Sequence, residues 1–81
     1  MRKTYHEILK THFHKKLLRS RDQLGLTQAE MAEILAMDDR SYNDLDHGKT
    51  CCGSVTLALY LARVCDDPQE FLEELRHEFE S

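Results

Sequence analysis

Three times this chain carries the same short signal for starting a helix. Thr4 is followed three residues later by Glu7, Thr27 by Glu30, and Asp67 by Pro68, Gln69 and Glu70. A hydroxyl or carboxylate ahead of the first turn accepts from a backbone N–H that has no partner inside the helix, and a Glu at the third helical position can reach back to the capping residue. Pro at the first helical position loses no hydrogen bond and presets φ. No segment between these starts alternates apolar and polar residues as a strand would, and no Asn-Gly or Asp-Gly pair offers a hairpin turn. The chain is therefore expected to be all-α.

Apolar spacing fills in the helices. Ile8, Leu9, Phe13, Leu17 and Leu24 recur on one side, with Lys10, Lys15, Arg19 and Asp22 opposite, which predicts a long first helix from Tyr5 to Leu24 ended by Gly25. Met31, Ala32, Ile34 and Leu35 predict a short second helix over residues 28–35. Asp38 can cap a third, over residues 38–47, with Tyr42 and Leu45 inward and Gly48 beyond its end. After a loop from His47 to Gly53, Ser54 is expected to cap a fourth helix whose apolar positions include Val55, Leu57, Ala58, Leu61, Ala62 and Cys65. The fifth carries Phe71, Leu72, Leu75 and Phe79, with Glu73, Glu74, Glu78 and Glu80 outside. Five helices in a single domain spanning residues 1–81 is the expected architecture, because a chain this short buries too little surface for a second core.

Composition narrows the class. The chain is 41% hydrophobic and 32% charged, which suits a folded soluble domain better than a disordered segment. The apolar stretch near Val55 to Val64 is too short to span a bilayer. The start MRKTYHEILK has no apolar core followed by a cleavage site, so no secretory signal is read and a cytoplasmic protein is expected. Three cysteines, an odd count, argue against a disulfide framework. Charge is divided unevenly. Residues 1–21 hold seven Lys/Arg and one Glu, net +6, while residues 22–81 hold four Lys/Arg and fourteen Asp/Glu, net −10. A basic end can meet nucleic acid, or it can pack against an acidic surface of the same fold or of a second subunit.

The run LRSRDQLGLTQAEMAEIL, continued by LDHGKT and LARVCDDPQEFL, resembles the phage-repressor-like helix-turn-helix family, also called Xre or Cro-type. The likeness extends from about Leu17 to Leu72, and GLTQAEMAEIL is its most specific part. It implies a lambda-repressor-like fold with an N-terminally extended first helix, and sequence-specific DNA binding as a dimer, with the third helix in the major groove. On this register Asp38, Asp39, Arg40, Asn43 and Asp44 face the bases. Arg40 suits guanine, Asn43 suits adenine, and Asp39 or Asp44 suits cytosine N4. Gln28, Lys49 and Arg19 would hold phosphates. Arg21 and Asp46 would form a structural ion pair tying the first helix to the third. Two residues depart from the family. Ala36 stands where relatives place Gly at a turn asking for positive φ, and Tyr42 stands where they place Val or Ile.

The acidity of the third helix is the difficulty for this reading. Asp46 has its pair and Asp38 its cap, but Asp39 and Asp44 remain against Arg40, and phosphate walls repel carboxylates. Lys10, Lys15, Lys16 and Arg19 would supply compensation if the first helix runs beside the DNA. The alternative is a protein-interaction adaptor that keeps the fold and docks a partner on its acidic third helix, since fold alone does not fix function.

Other constellations read as structural. Cys51, Cys52, Cys65 and His47 lack the paired Cys spacing of a structural zinc site. Cys65 is expected to be a small buried hydrophobe. Cys51 and Cys52 are expected to be free thiols, with a vicinal redox switch as the alternative. His6, His12 and His14 read as solvated histidines on a basic helix. No nucleophile–base pattern, phosphate loop or catalytic carboxylate pair is present, so neither an enzyme nor a cofactor or metal is expected.

Overall fold

The computed structural model describes residues 4–81. Among them the chain forms five α-helices and no strand: α1 (Tyr5–Leu24), α2 (Gln28–Ile34), α3 (Asp39–Asp46), α4 (Ser54–Leu59) and α5 (Pro68–Glu80), with α4 running on into a π-helical turn, Tyr60–Val64. All three predicted starts are made as helix caps. Thr4 accepts from the Glu7 N–H (3.1 Å) and Asp67 from the Glu70 N–H (3.0 Å). At α2 the box is reciprocal, because Glu30 also accepts from the Thr27 N–H at 2.9 Å. Ser54 proves to be the first residue of α4 instead of its cap. The cap is Gly53, which offers no side chain.

Three helices end in the same left-handed motif. After α1, Gly25 has φ +66, its N–H donates to Asp22, and the Leu26 N–H donates to Arg21. After α3, Gly48 has φ +71, its N–H donates to Leu45, and the Lys49 N–H donates to Asp44. After α2 the same pair of bonds runs from Ala36 to Glu33 and from Met37 to Ala32, but here the residue with φ +54 is Ala36. The motif satisfies carbonyls left open at a helix end. A Cβ in that conformation costs about 1–2 kcal/mol. The turn is therefore kept, and the strain predicted for Ala36 is present.

The core gathers Phe13 and Leu17 of α1, Met31 and Ala32 of α2 with Leu35 just beyond it, Tyr42 and Leu45 of α3, Tyr60 and Val64 of the π turn, and Phe71 and Leu75 of α5. Both α3 and α5 pack on α1, and α2 packs on α3. Ala32, 2% exposed, sits in this contact, where a larger side chain would separate the helices. Ile8, Leu9 and Phe79 extend the core toward the start of α1, and Tyr5 meets Phe79 edge-on with ring centroids 5.3 Å apart.

The fourth helix departs most from expectation. Val55 is 70% exposed, and Ala58 and Ala62 also face out. The buried residues are Tyr60 and Val64, and Cys65 is half-buried. The Tyr60 hydroxyl donates to the Lys16 carbonyl (3.2 Å) and shares a 2.8 Å hydrogen bond with Ser20 Oγ. Its ring meets Phe13 edge-on and tilts against Phe71. Burying an aromatic ring removes far more apolar surface from water than burying an alanine, provided the hydroxyl finds partners. Tyr60 has both. The widened turn closes with the Cys65 N–H on the Tyr60 carbonyl at 2.9 Å.

The histidines of α1 are not uniformly solvated. His12 is 4% exposed and stacks edge-on against Phe71, with centroids 4.8 Å apart. His14 Nε2 lies 2.9 Å from the Asp46 carbonyl, and its ring lies so close to Gly48 that any Cβ there would stand 3.0 Å from it. Glu74 also leaves the solvated face assigned to it, since Lys16 Nζ donates to it at 2.7 Å. No helix among the described residues is long and apolar enough to cross a membrane.

Candidate nucleic-acid interface

The site is built around a carboxylate that faces inward. Asp46, 7% exposed at the end of α3, accepts from the Tyr42 hydroxyl on Oδ1 (2.9 Å) and from Gln28 Nε2 on Oδ2 (2.9 Å). Arg21 Nε lies 3.2 Å from Oδ1. The N–H is not aligned for a hydrogen bond, so the Arg21 contact is one of charge with charge. Together with His14 on the backbone carbonyl, these contacts tie α1, α2 and α3 at one point. Burial, and then the Asp46 carboxylate, holds the Tyr42 hydroxyl far above the ordinary phenol range, so Tyr42 remains a donor. A charge taken out of water needs this many partners.

Asp38 is likewise occupied. Its Oδ1 accepts from the Ser41 N–H at 2.7 Å, and this bond holds its carboxyl below the usual value. A capping carboxylate at the positive end of the helix dipole is stabilising. Two of the four acidic residues of this segment therefore serve the fold of α3 itself.

The exposed side of α3 carries Asp39, Arg40 and Asn43. With Thr27, Gln28 and Ala29 from the start of α2, they line one shallow concave surface. Four of the residues picked out by register, Gln28, Asp39, Arg40 and Asn43, are thus brought together. Asp44 and Lys49 do not line this surface. Asp44 is half-buried, and Lys49 is exposed beyond the C-terminal end of α3. The Gln28 amide is not free, being engaged by Asp46. Among the described residues Arg40 is the only cation lining the surface, and Asp39 lines it as well.

The basic face of α1 is partly neutralised within the chain. Lys16 pairs with Glu74 of α5, and Arg19 lines a small polar cleft with Asp66, Asp67 and Glu70. The positive N-terminal half thus finds part of its acidic counterpart in the same fold. A contact missed from sequence is Arg63, whose Nη1 donates to the Ile34 carbonyl at 3.1 Å and closes the C-terminal end of α2. Its place within an apolar run, five residues before a helix-starting Pro, gave no sign of that partner. Among the described residues, no group of three or more His, Cys, Asp or Glu side chains is arranged to hold a metal ion.

Comparison with known proteins adds no assignment. No family model matches the sequence, and no curated protein or solved structure matches it.

Proposed function

We propose that this chain is a small cytoplasmic DNA-binding regulator of the phage-repressor-like helix-turn-helix kind, acting as a homodimer without cofactor or catalysis. The observation that carries the reading is the α2–α3 unit. The two helices are joined through a left-handed turn and present Gln28, Asp39, Arg40 and Asn43 on one exposed surface. A helix offered in this way fits the major groove, where Arg reads guanine and Asn reads adenine. The N-terminal end of α2 adds N–H groups suited to a phosphate. Asp46 does not oppose this reading, because its charge is turned inward against Arg21.

A specific observation also favours the adaptor reading. Among the described residues, Asp39 and Arg40 are the charged side chains lining the candidate surface, so the surface has no net positive charge, and DNA affinity depends on neutralising phosphates. A protein partner with a basic face would find this surface more favourable than DNA does.

A salt series separates the two. Binding to duplex fragments from upstream of the chain's own gene is measured against scrambled duplexes. Binding that prefers one sequence and weakens as salt rises supports the regulator. A folded sample that binds no duplex at low salt overturns it, and partner capture on α3 becomes the next experiment.

A further inference from the structure

The loop between α3 and α4 carries two thiols that the DNA reading leaves unused. Cys51 and Cys52 are both free and half-buried. Cys51 Sγ lies 4.0 Å from the His6 carbonyl of α1, while Cys52 packs against the hydrophobic core. The two cysteines are adjacent in the chain, so their side chains leave neighbouring Cα atoms. Burial, and then the neighbouring Cys51, pushes Cys52 up to about 12.

We propose that Cys51 and Cys52 form a chelating dithiol site for a trivalent, arsenous-type metalloid. Neighbouring Cα atoms are about 3.8 Å apart, short of the roughly 4.4–6.8 Å that an unstrained disulfide spans. A direct sulfur–sulfur bond is therefore strained, whereas an arsenic atom between the sulfurs enlarges the ring and relieves that constraint. A bare metal cation takes more than two protein ligands, and among the described residues no group of three or more His, Cys, Asp or Glu side chains is arranged to hold one. An oxo-arsenical takes the thiols as they are. Two As–S bonds form, the arsenic–oxygen bond breaks, and the oxygen leaves as water carrying both thiol protons. Arsenic stays trivalent throughout, so no oxidant or reductant is needed. Two sulfurs and one carbon satisfy an organoarsenical, and no third side-chain ligand is required.

The site is placed to report on α3. Gly48 lies under the His14 ring, and the Lys49 N–H holds the Asp44 carbonyl. Cys51 follows Lys49 by two residues in the same loop. An effect on DNA affinity rests on the proposed function, whereas binding of the metalloid does not.

The test uses the full reduced chain, without DNA, and phenylarsine oxide as probe. Intact-mass measurement is expected to find one phenylarsenic group per chain, added with loss of one water. Excess 1,2-ethanedithiol removes it, and an equal concentration of a monothiol does not. Cys51→Ser and Cys52→Ser each weaken binding by on the order of 100-fold, since each loses the effective concentration of the second thiol, while Cys65→Ser binds as the parent does. Circular dichroism confirms that each variant is folded. No adduct on a folded chain with three titratable thiols overturns the proposal. So does an adduct whose affinity is unchanged by Cys51→Ser or Cys52→Ser, or one that requires Cys65.

Discussion

The Tyr42 hydroxyl donates to Oδ1 of Asp46, one turn further along α3, at 2.9 Å. The tyrosine ring is 1% exposed and fills the core, while its oxygen serves the one buried carboxylate of the helix. Tyr42→Phe keeps the ring and removes this donor. A hydrogen bond to a charged, buried acceptor contributes about 2 kcal/mol, and urea unfolding is expected to report a loss of that size. An unchanged midpoint would mean that Asp46 recovers a partner from water.

Arg21→Ala tests the other side of the same carboxylate. It leaves Asp46 with two neutral donors and no countercharge. Removing one partner of a fully buried pair costs about 3–5 kcal/mol. The Arg21 side chain is 29% exposed, so the expected loss is smaller, about 2 kcal/mol after solvent screening. Melting temperature should fall while the helical circular dichroism spectrum below the transition is kept.

Ala36→Gly is expected to stabilise the chain. Ala36 has φ +54 at a position where Gly25 and Gly48 serve the other helices. Relief of the left-handed strain outweighs the added entropy of an unfolded glycine by roughly 0.5–1 kcal/mol. Thermal melts at neutral pH would read this directly, and a lower melting temperature would show that the turn relaxes without cost.

His12 gives the fold a pH dependence of known sign. Burial, and then Lys16, lowers its pKa below the ordinary 6.5, with Lys15 acting in the same direction and Glu74 opposing. The unfolded chain therefore binds the proton more readily than the folded one. The contribution is fully present above about pH 6.5 and is lost as pH falls toward the folded value. His12→Leu should flatten the fall in stability below about pH 6.5. It also removes Nε2, a buried nitrogen without a hydrogen-bond partner, so stability at neutral pH should not fall. The same slope in both proteins would assign the pH dependence to another group.

On the proposed DNA-binding function, Arg40 on the candidate surface and Lys49 beyond the end of α3 should behave differently. Arg40→Ala is expected to relax sequence preference by about 1–3 kcal/mol at one base pair. Lys49→Ala is expected to weaken all sequences alike and reduce the salt slope by about one. If neither change alters binding, α3 is not the surface in contact with DNA.

Much of the fold could be read from short-range chemistry. Thr4, Thr27, Asp38 and Asp67 start helices because a capping oxygen acts within three residues of itself. Gly25 and Gly48 end them because a left-handed φ is a property of one residue. At Ala36 the positive φ was expected from the family resemblance and not from the residue itself, since alanine gives no local sign of a left-handed turn. Part of the acidity of the third helix was explained in the same way, by Asp38 as a cap, whereas the pairing of Asp46 with Arg21 was expected only from the family resemblance.

What the tertiary structure alone decided was which side chain at each interior position found a partner far away in sequence. Tyr60 displaced the alanines of α4 from the core because Ser20 and Lys16 of α1 receive its hydroxyl. Similarly, His12 went inward against Phe71, Lys16 turned to Glu74, and Gln28 to Asp46. Periodicity ranks residues by hydrophobicity along one helix. It does not contain the position of an acceptor on another helix, and for amphipathic side chains such as Tyr, His, Lys and Gln that acceptor determines whether burial is favourable.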